Sequence, residues 1–150
     1  MLNSKALAAS VSAGPKVYVE DVFSTWLYTG TGSTQTITNG IDLSGKGGLV
    51  WIKNRDTTTF PQHTLIDTTR GGANWLNTSS TNAQTADPGN ILSSYNADGF
   101  TLLSSGRVNP NGINYASWTF RKAAKFFDVV TYTGTGANTT ISHNLGSIPG

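Results

Sequence analysis

The chain has 150 residues, of which 12% are charged and 37% hydrophobic, and its formal net charge is +2. The length allows one ordinary domain with a tail, and so few scattered cations exclude a nucleic-acid surface, which needs clustered phosphate contacts. The absence of cysteine excludes disulfides and thiolate metal sites, and no apolar run approaches the about 18 residues that span a membrane.

Small polar residues fill the remainder, with 22 Thr, 15 Ser, 13 Asn and 17 Gly. Thr favours strands, while Gly and Asn favour turns. With 6 Phe, 5 Tyr and 4 Trp available for a core, the composition predicts a folded all-β protein rather than disorder.

Residues 1–22 read as an arm. The first 16 are small and polar, with at most a marginal helix at Ala6–Val11 that Gly14 and Pro15 end. "VYVEDVF" then reads as extended, with apolar residues on both sides, which suits a peptide lying against a partner. From Ser24, "STWLYTG" and "TQTITN" read as two strands joined through a "TGTGS" hairpin turn. "LVWIKNR" is the strongest core strand, and "HTLIDTTRGG" follows as another. Ala73–Asn90 reads as a surface loop ending in a "DPGN" turn, with Trp75 and Leu76 tucked inward. "ILSSYNADGFTLLSSG" reads as a hairpin turning at Asn96–Gly99, with Phe100 and Leu102 pointing one way. "NPNG" at 109–112 is a turn, and "YASWTFRK" alternates, with Ala116, Trp118 and Phe120 on one face. The predicted core is Leu49, Trp51, Ile66, Phe100, Trp118 and Phe120, and Trp26 is also placed inside.

"YTGTG" at Tyr28–Gly32 returns at Tyr132–Gly136, an offset of 104 residues that Phe23 and Phe127 share. Residues 23–124 therefore form one unit with turn signals between short strands, a β-sandwich or jelly roll. Residues 125–150 open a second unit, which lacks a counterpart of "LVWIK". Such a fragment cannot bury a core of its own. It either pairs with the first unit or continues past Gly150 into a longer protein, and continuation is the expectation.

The succession "VYVEDVFSTWLYTGTG", "GLVWIKNR", "LIDTTRG", "ADGFTL" and "YASWTFRKA", followed by "FFDVVTYTGTG" and "HNLGSIPG", resembles tail-fibre-type structural proteins of tailed bacteriophages. The resemblance covers Val17–Gly150. It implies tandem concanavalin A-like β-sandwich modules in a virion tail, assembled in the host cytoplasm. It further implies a homo-oligomer, a trimer first, docked to a tail, adaptor or baseplate protein.

The expected function is therefore structural linkage, with no cofactor and no membrane insertion. Val17, Tyr18, Val19, Glu20, Asp21, Val22 and Phe23 are the candidate tail-docking residues, because an apolar peptide adds to a sheet edge or fills a groove. The alternative is a carbohydrate-binding module using Asn74, Trp75 and Asn77, an aromatic flanked by polar groups. A polysaccharide-degrading enzyme ranks behind both. The chain has one Glu, and Asp42, Asp56, Asp87 and Asp98 fall at turns. Asp67, three residues before Arg70, reads as a paired carboxylate. His63 and His143 have no "GxSxG" elbow to serve, and "YNADGF" and "TADPGN" are too poor in carboxylates for calcium.

Overall fold

The computed structural model describes residues 16–56, 63–86 and 91–149. The Ala6–Val11 helix and the "DPGN" turn lie outside the described residues. The described chain forms one helical turn, α1 (Val19–Val22), and nine strands. These are β1 (Phe23–Thr29), β2 (Gln35–Thr38), β3 (Gly48–Asn54), β4 (Thr64–Asp67), β5 (Asn74–Asn77), β6 (Thr85–Ala86), β7 (Leu92–Asn96), β8 (Gly99–Leu102) and β9 (Asn114–Arg121). The larger sheet runs β1-β9-β3-β4-β5-β6 and the smaller runs β2-β8-β7. Every pairing is antiparallel. The chain is an all-β sandwich, and every described strand falls between residues 23 and 121.

The alternation of the strands sets which side chains meet. On β3, Val50 and Ile52 point inward with Ile66 of β4. From the smaller sheet come Ile37, Phe100 and Leu102, so the turn at Asp98 aims Phe100 and Leu102 into the core as their spacing predicted. Ile41, Leu43, Ile91 and Val108 enter it from loops, and Tyr28, Trp75, Leu92 and Tyr115 complete the cluster.

The inward face of β9 differs from the expectation. Tyr115, Ser117 and Thr119 are buried and face the core, whereas Trp118 and Phe120 lie half-buried on the opposite face. The register explains it. Trp51 sits opposite Trp118 and Leu49 opposite Phe120, so all four share the outer face. There the rings pack on one another. Trp51 lies 5.4 Å from both Trp118 and His63, and Phe120 lies 4.9 Å from Phe23 and 5.2 Å from Phe127. Of the six residues expected in the core, Ile66 and Phe100 are there. The small Ser117 and Thr119 fit beneath loops that approach closely, and Thr119 accepts a hydrogen bond from the Asn39 amide at 2.8 Å. Trp26 is also displaced from the expected core. It is 41% exposed, because β1 is a sheet edge.

Two further differences concern chain direction. The "VEDV" stretch is not extended. Asp21 accepts the Tyr18 N–H at 3.0 Å, closing a helical turn that buries Val22. The expected loop at 73–90 contains β5 and β6, two short strands that their pairing with β4 and with each other creates.

Truncating a fully buried Phe costs about 3–5 kcal/mol. Phe100→Ala should therefore lower the unfolding free energy by that amount, and Trp26→Ala by clearly less. Denaturant titration checks this, and an equal loss at Trp26 would contradict the edge assignment.

Candidate functional site: two docking surfaces

The first surface lies where the chain enters the sandwich. With Asp21 committed to the Tyr18 N–H, the side chains of Val17, Tyr18 and Val19 are left exposed. They line a groove with Val22, Ala124, Lys125 and Phe126, the last also exposed. A neighbouring pocket gathers Lys16, Lys46, Arg121 and Lys122 around Asp21. Contiguous apolar surface beside a cationic rim is the composition of a protein-docking site. Of the seven candidate docking residues, Val17, Tyr18, Val19, Glu20 and Asp21 are on the surface. Asp21 caps the turn, Val22 is core, and Phe23 opens β1 against Phe120.

The second surface is the seat of the β1–β2 arch. The hairpin expected here does not form: β1 and β2 do not pair with each other but lie one in each sheet, and among the described residues β1 pairs with β9 and β2 with β8. Tyr28 is the main anchor. Its hydroxyl donates to the Val108 carbonyl at 2.7 Å, and its ring stacks on Tyr115 at 5.1 Å. Burial, then the neighbouring Tyr115, raise the Tyr28 pKa well above the usual tyrosine value. Burial also pushes Tyr115 up, to about 12, with Asp56 adding to it.

Past Tyr28 the turn that crosses from one sheet to the other is gripped by Asn109, which is wholly buried. The Asn109 side-chain oxygen accepts the Thr31 N–H at 2.9 Å, and its backbone carbonyl accepts the Gly32 N–H at 2.8 Å. Its amide donates to the Leu103 and Ser33 carbonyls. Gly30 completes the fit. A Cβ there would stand 2.1 Å from the Pro110 carbonyl oxygen, so only glycine lets the strand come this close. Sequence reading found "NPNG" as a turn but gave Asn109 no role, because its partners lie some 76 to 78 residues away.

The glycan candidates are occupied by internal contacts. Trp75 is 8% exposed and packs in the core, with the Arg107 guanidinium 3.8 Å above its ring. The Asn74 amide donates to the Arg70 carbonyl, and its oxygen accepts from Gln84 at 3.1 Å. The Asn77 oxygen is 3.5 Å from an Arg107 nitrogen. The three residues do not form an exposed platform.

Asp67 is buried, ion-paired with Arg70, and accepts the Thr69 and Arg70 N–H groups at 3.0 and 2.9 Å. His63 rests on Trp51, and burial followed by the Lys53 charge lowers its pKa. His143 is exposed and accepts the Leu145 N–H. Among the described residues, no three His, Cys, Asp or Glu groups converge on a common point. No described helix is long and apolar enough to cross a membrane.

Asp128 ties down the start of the second copy. It accepts the Asn144 N–H at 2.8 Å and the Val129 N–H at 2.9 Å, and Lys122 stands 3.7 Å away. The Asn144 N–H is the main cause that holds its carboxyl below the usual carboxylate value, with Val129 and Lys122 assisting against burial.

Two predictions follow from these contacts. Asn109→Ala strands buried partners and should cost about 1–3 kcal/mol for each group left unsatisfied, with thermal and denaturant unfolding as the readout. For Asp128, a depressed folded pKa means that its stabilisation is present above the unfolded value of about 3.9 and disappears as pH falls through the lower folded value. The Asn144 amide resonance should accordingly titrate with a midpoint below about 3.9, and Asp128→Asn should abolish the transition. A midpoint at or above that value would contradict the tie.

No curated protein matches the chain, and no solved structure does. One family match covers most of it, residues 19–150, taking in the sandwich and the second copy and leaving residues 1–18 outside. The chain belongs to the family described as a domain of unknown function, DUF7483.

Proposed function

We propose that the protein is a virion structural component, a segment of a phage tail fibre or related tail appendage that links a tail-proximal partner to distal parts by binding rather than catalysis. The observation that carries this reading is the uncovered apolar groove of Val17, Tyr18, Val19 and Phe126 beside the cations Lys16, Lys46, Arg121 and Lys122. It lies at the base of the chain's N-terminal stretch, next to β1. A folded partner that covers it gains apolar burial, at about 25 cal/mol per Å² removed from water. An acidic rim on that partner orients the approach. The ordered succession of motifs that resembles tail-fibre proteins supports the same reading, as does the repeat, which suits a modular rod. A homotrimer is the proposed assembly, in keeping with the symmetric self-association of fibres.

The arm sets the test. Residues 1–18 precede α1 and the buried Val22, so their deletion should leave the melting transition of the sandwich in place. Virions assembled with the deleted protein should lack it, and Val17→Asp with Val19→Asp should reproduce the defect in the full-length chain. Normal copy numbers on the deletion particles would overturn the anchoring role.

A further inference from the structure

Residues 127–145 repeat residues 23–41 at the positions that matter for the seat of the β1–β2 arch. Phe23, Tyr28, Gly30, Thr31, Gly32 and Ile37 return as Phe127, Tyr132, Gly134, Thr135, Gly136 and Ile141. The local turn forms in both copies. Thr31 donates to the Ser33 carbonyl at 3.0 Å, and Thr135 donates to the Ala137 carbonyl at 3.3 Å. Gly32 has φ 69° and Gly136 has φ 73°.

The surroundings differ completely. Tyr28 is 7% exposed and Tyr132 67%; Ile37 is 3% exposed and Ile141 37%. Gly30 is pressed against the Pro110 carbonyl, whereas a Cβ on Gly134 would meet nothing within 4 Å. The second copy thus has a glycine that its present position does not require, a tyrosine with no apolar cover and a turn that grips no asparagine. Its sequence is fitted to a seat it does not occupy.

That seat is within reach. Among the described strands β1 and β2 each lie at the edge of their own sheet, so residues 23–41 can leave both without breaking an interior pair. In β1, Phe23 stands opposite Phe120. Phe127 already lies 5.2 Å from Phe120, and the Ala123 N–H donates to the Phe127 carbonyl at 3.0 Å. A turn through residues 121–126 brings Phe127 opposite Phe120 in the register of β1. Residues 127–133 then run antiparallel to β9, and residues 139–142 fall beside β8.

We propose that the flanks of β9 and β8, one in each sheet, form a docking site with two cognate occupants, and that residues 127–145 of the same chain take it when residues 23–41 leave. In that state Tyr132 stacks on Tyr115, Gly134 passes Pro110, and Asn109 grips the Thr135–Ala137 turn. The sandwich stays closed while its first copy, with the preceding arm, is free to add to another sheet edge.

The absence of native cysteine makes the test clean. Leu27 pairs with Ala116, and Thr131 is the counterpart of Leu27. The full-length chain carrying Ala116→Cys and Thr131→Cys is compared with the same chain in which Tyr28→Asp and Gly30→Val disable the first copy. The disabled chain should form an intrachain disulfide and keep one cooperative melting transition. Adding Tyr132→Asp and Gly134→Val should abolish both. Moving the second cysteine to Tyr132→Cys, which points to the other face, should give no crosslink. The proposal is overturned if the disabled chain loses its transition and its crosslink together, if the crosslink ignores register, or if it forms between two chains instead of within one.

Discussion

Asn109 is the residue on which the closure of the sandwich turns. It sits at the point where the β1–β2 arch meets the loop before β9, and it is wholly buried. A buried amide is costly unless each polar atom finds a partner. Here the partners are Thr31, Ser33 and Leu103, so satisfying one side chain fixes the turn between the two sheets in place. Tyr28 and Tyr115 then stack a short distance away, and β1 aligns along β9 through seven residue pairs. The first and last strands are thereby joined, and contacts between residues so far apart in sequence make the fold cooperative at a high entropy cost of closure.

The sheet that results has two apolar faces, a fact that decides how legible the chain was. β3, the β7–β8 hairpin and the alternation of β9 could be read because each is a local pattern bounded by turn residues. Which face of β9 is inward could not. Large aromatics at Trp118 and Phe120 look like core, yet Ser117 and Thr119 take that side because loops carrying Asn39 come close there. The aromatics instead cover one another outside, with Trp51, Phe23 and Phe127. Trp26 misled for a related reason, since strand pattern says nothing about which strand lies at an edge. β5 and β6 were invisible because pairing, not propensity, creates them. Asn109 was invisible because its partners are remote.

The candidate site was legible in part. The apolar residues at Val17–Val19 stood out in the sequence, and their side chains are exposed. The helical turn was missed because Asp21 reaches back to the Tyr18 N–H, a capping contact that "VYVED" signals only weakly. The repeat was the clearest signal in the sequence. Its meaning lies in context, since the same residues that lock the first copy into the sandwich leave the second on the surface.

That contrast is the central claim, and the two tyrosines report on it directly. Tyrosine-selective chemical labelling of the native full-length protein, read residue by residue by mass spectrometry, compares Tyr28 with Tyr132 in one experiment. The account predicts rapid labelling of Tyr132 and protection of Tyr28 until global unfolding. Equal labelling of the two, or protection of Tyr132 with Tyr28 exposed, would contradict it.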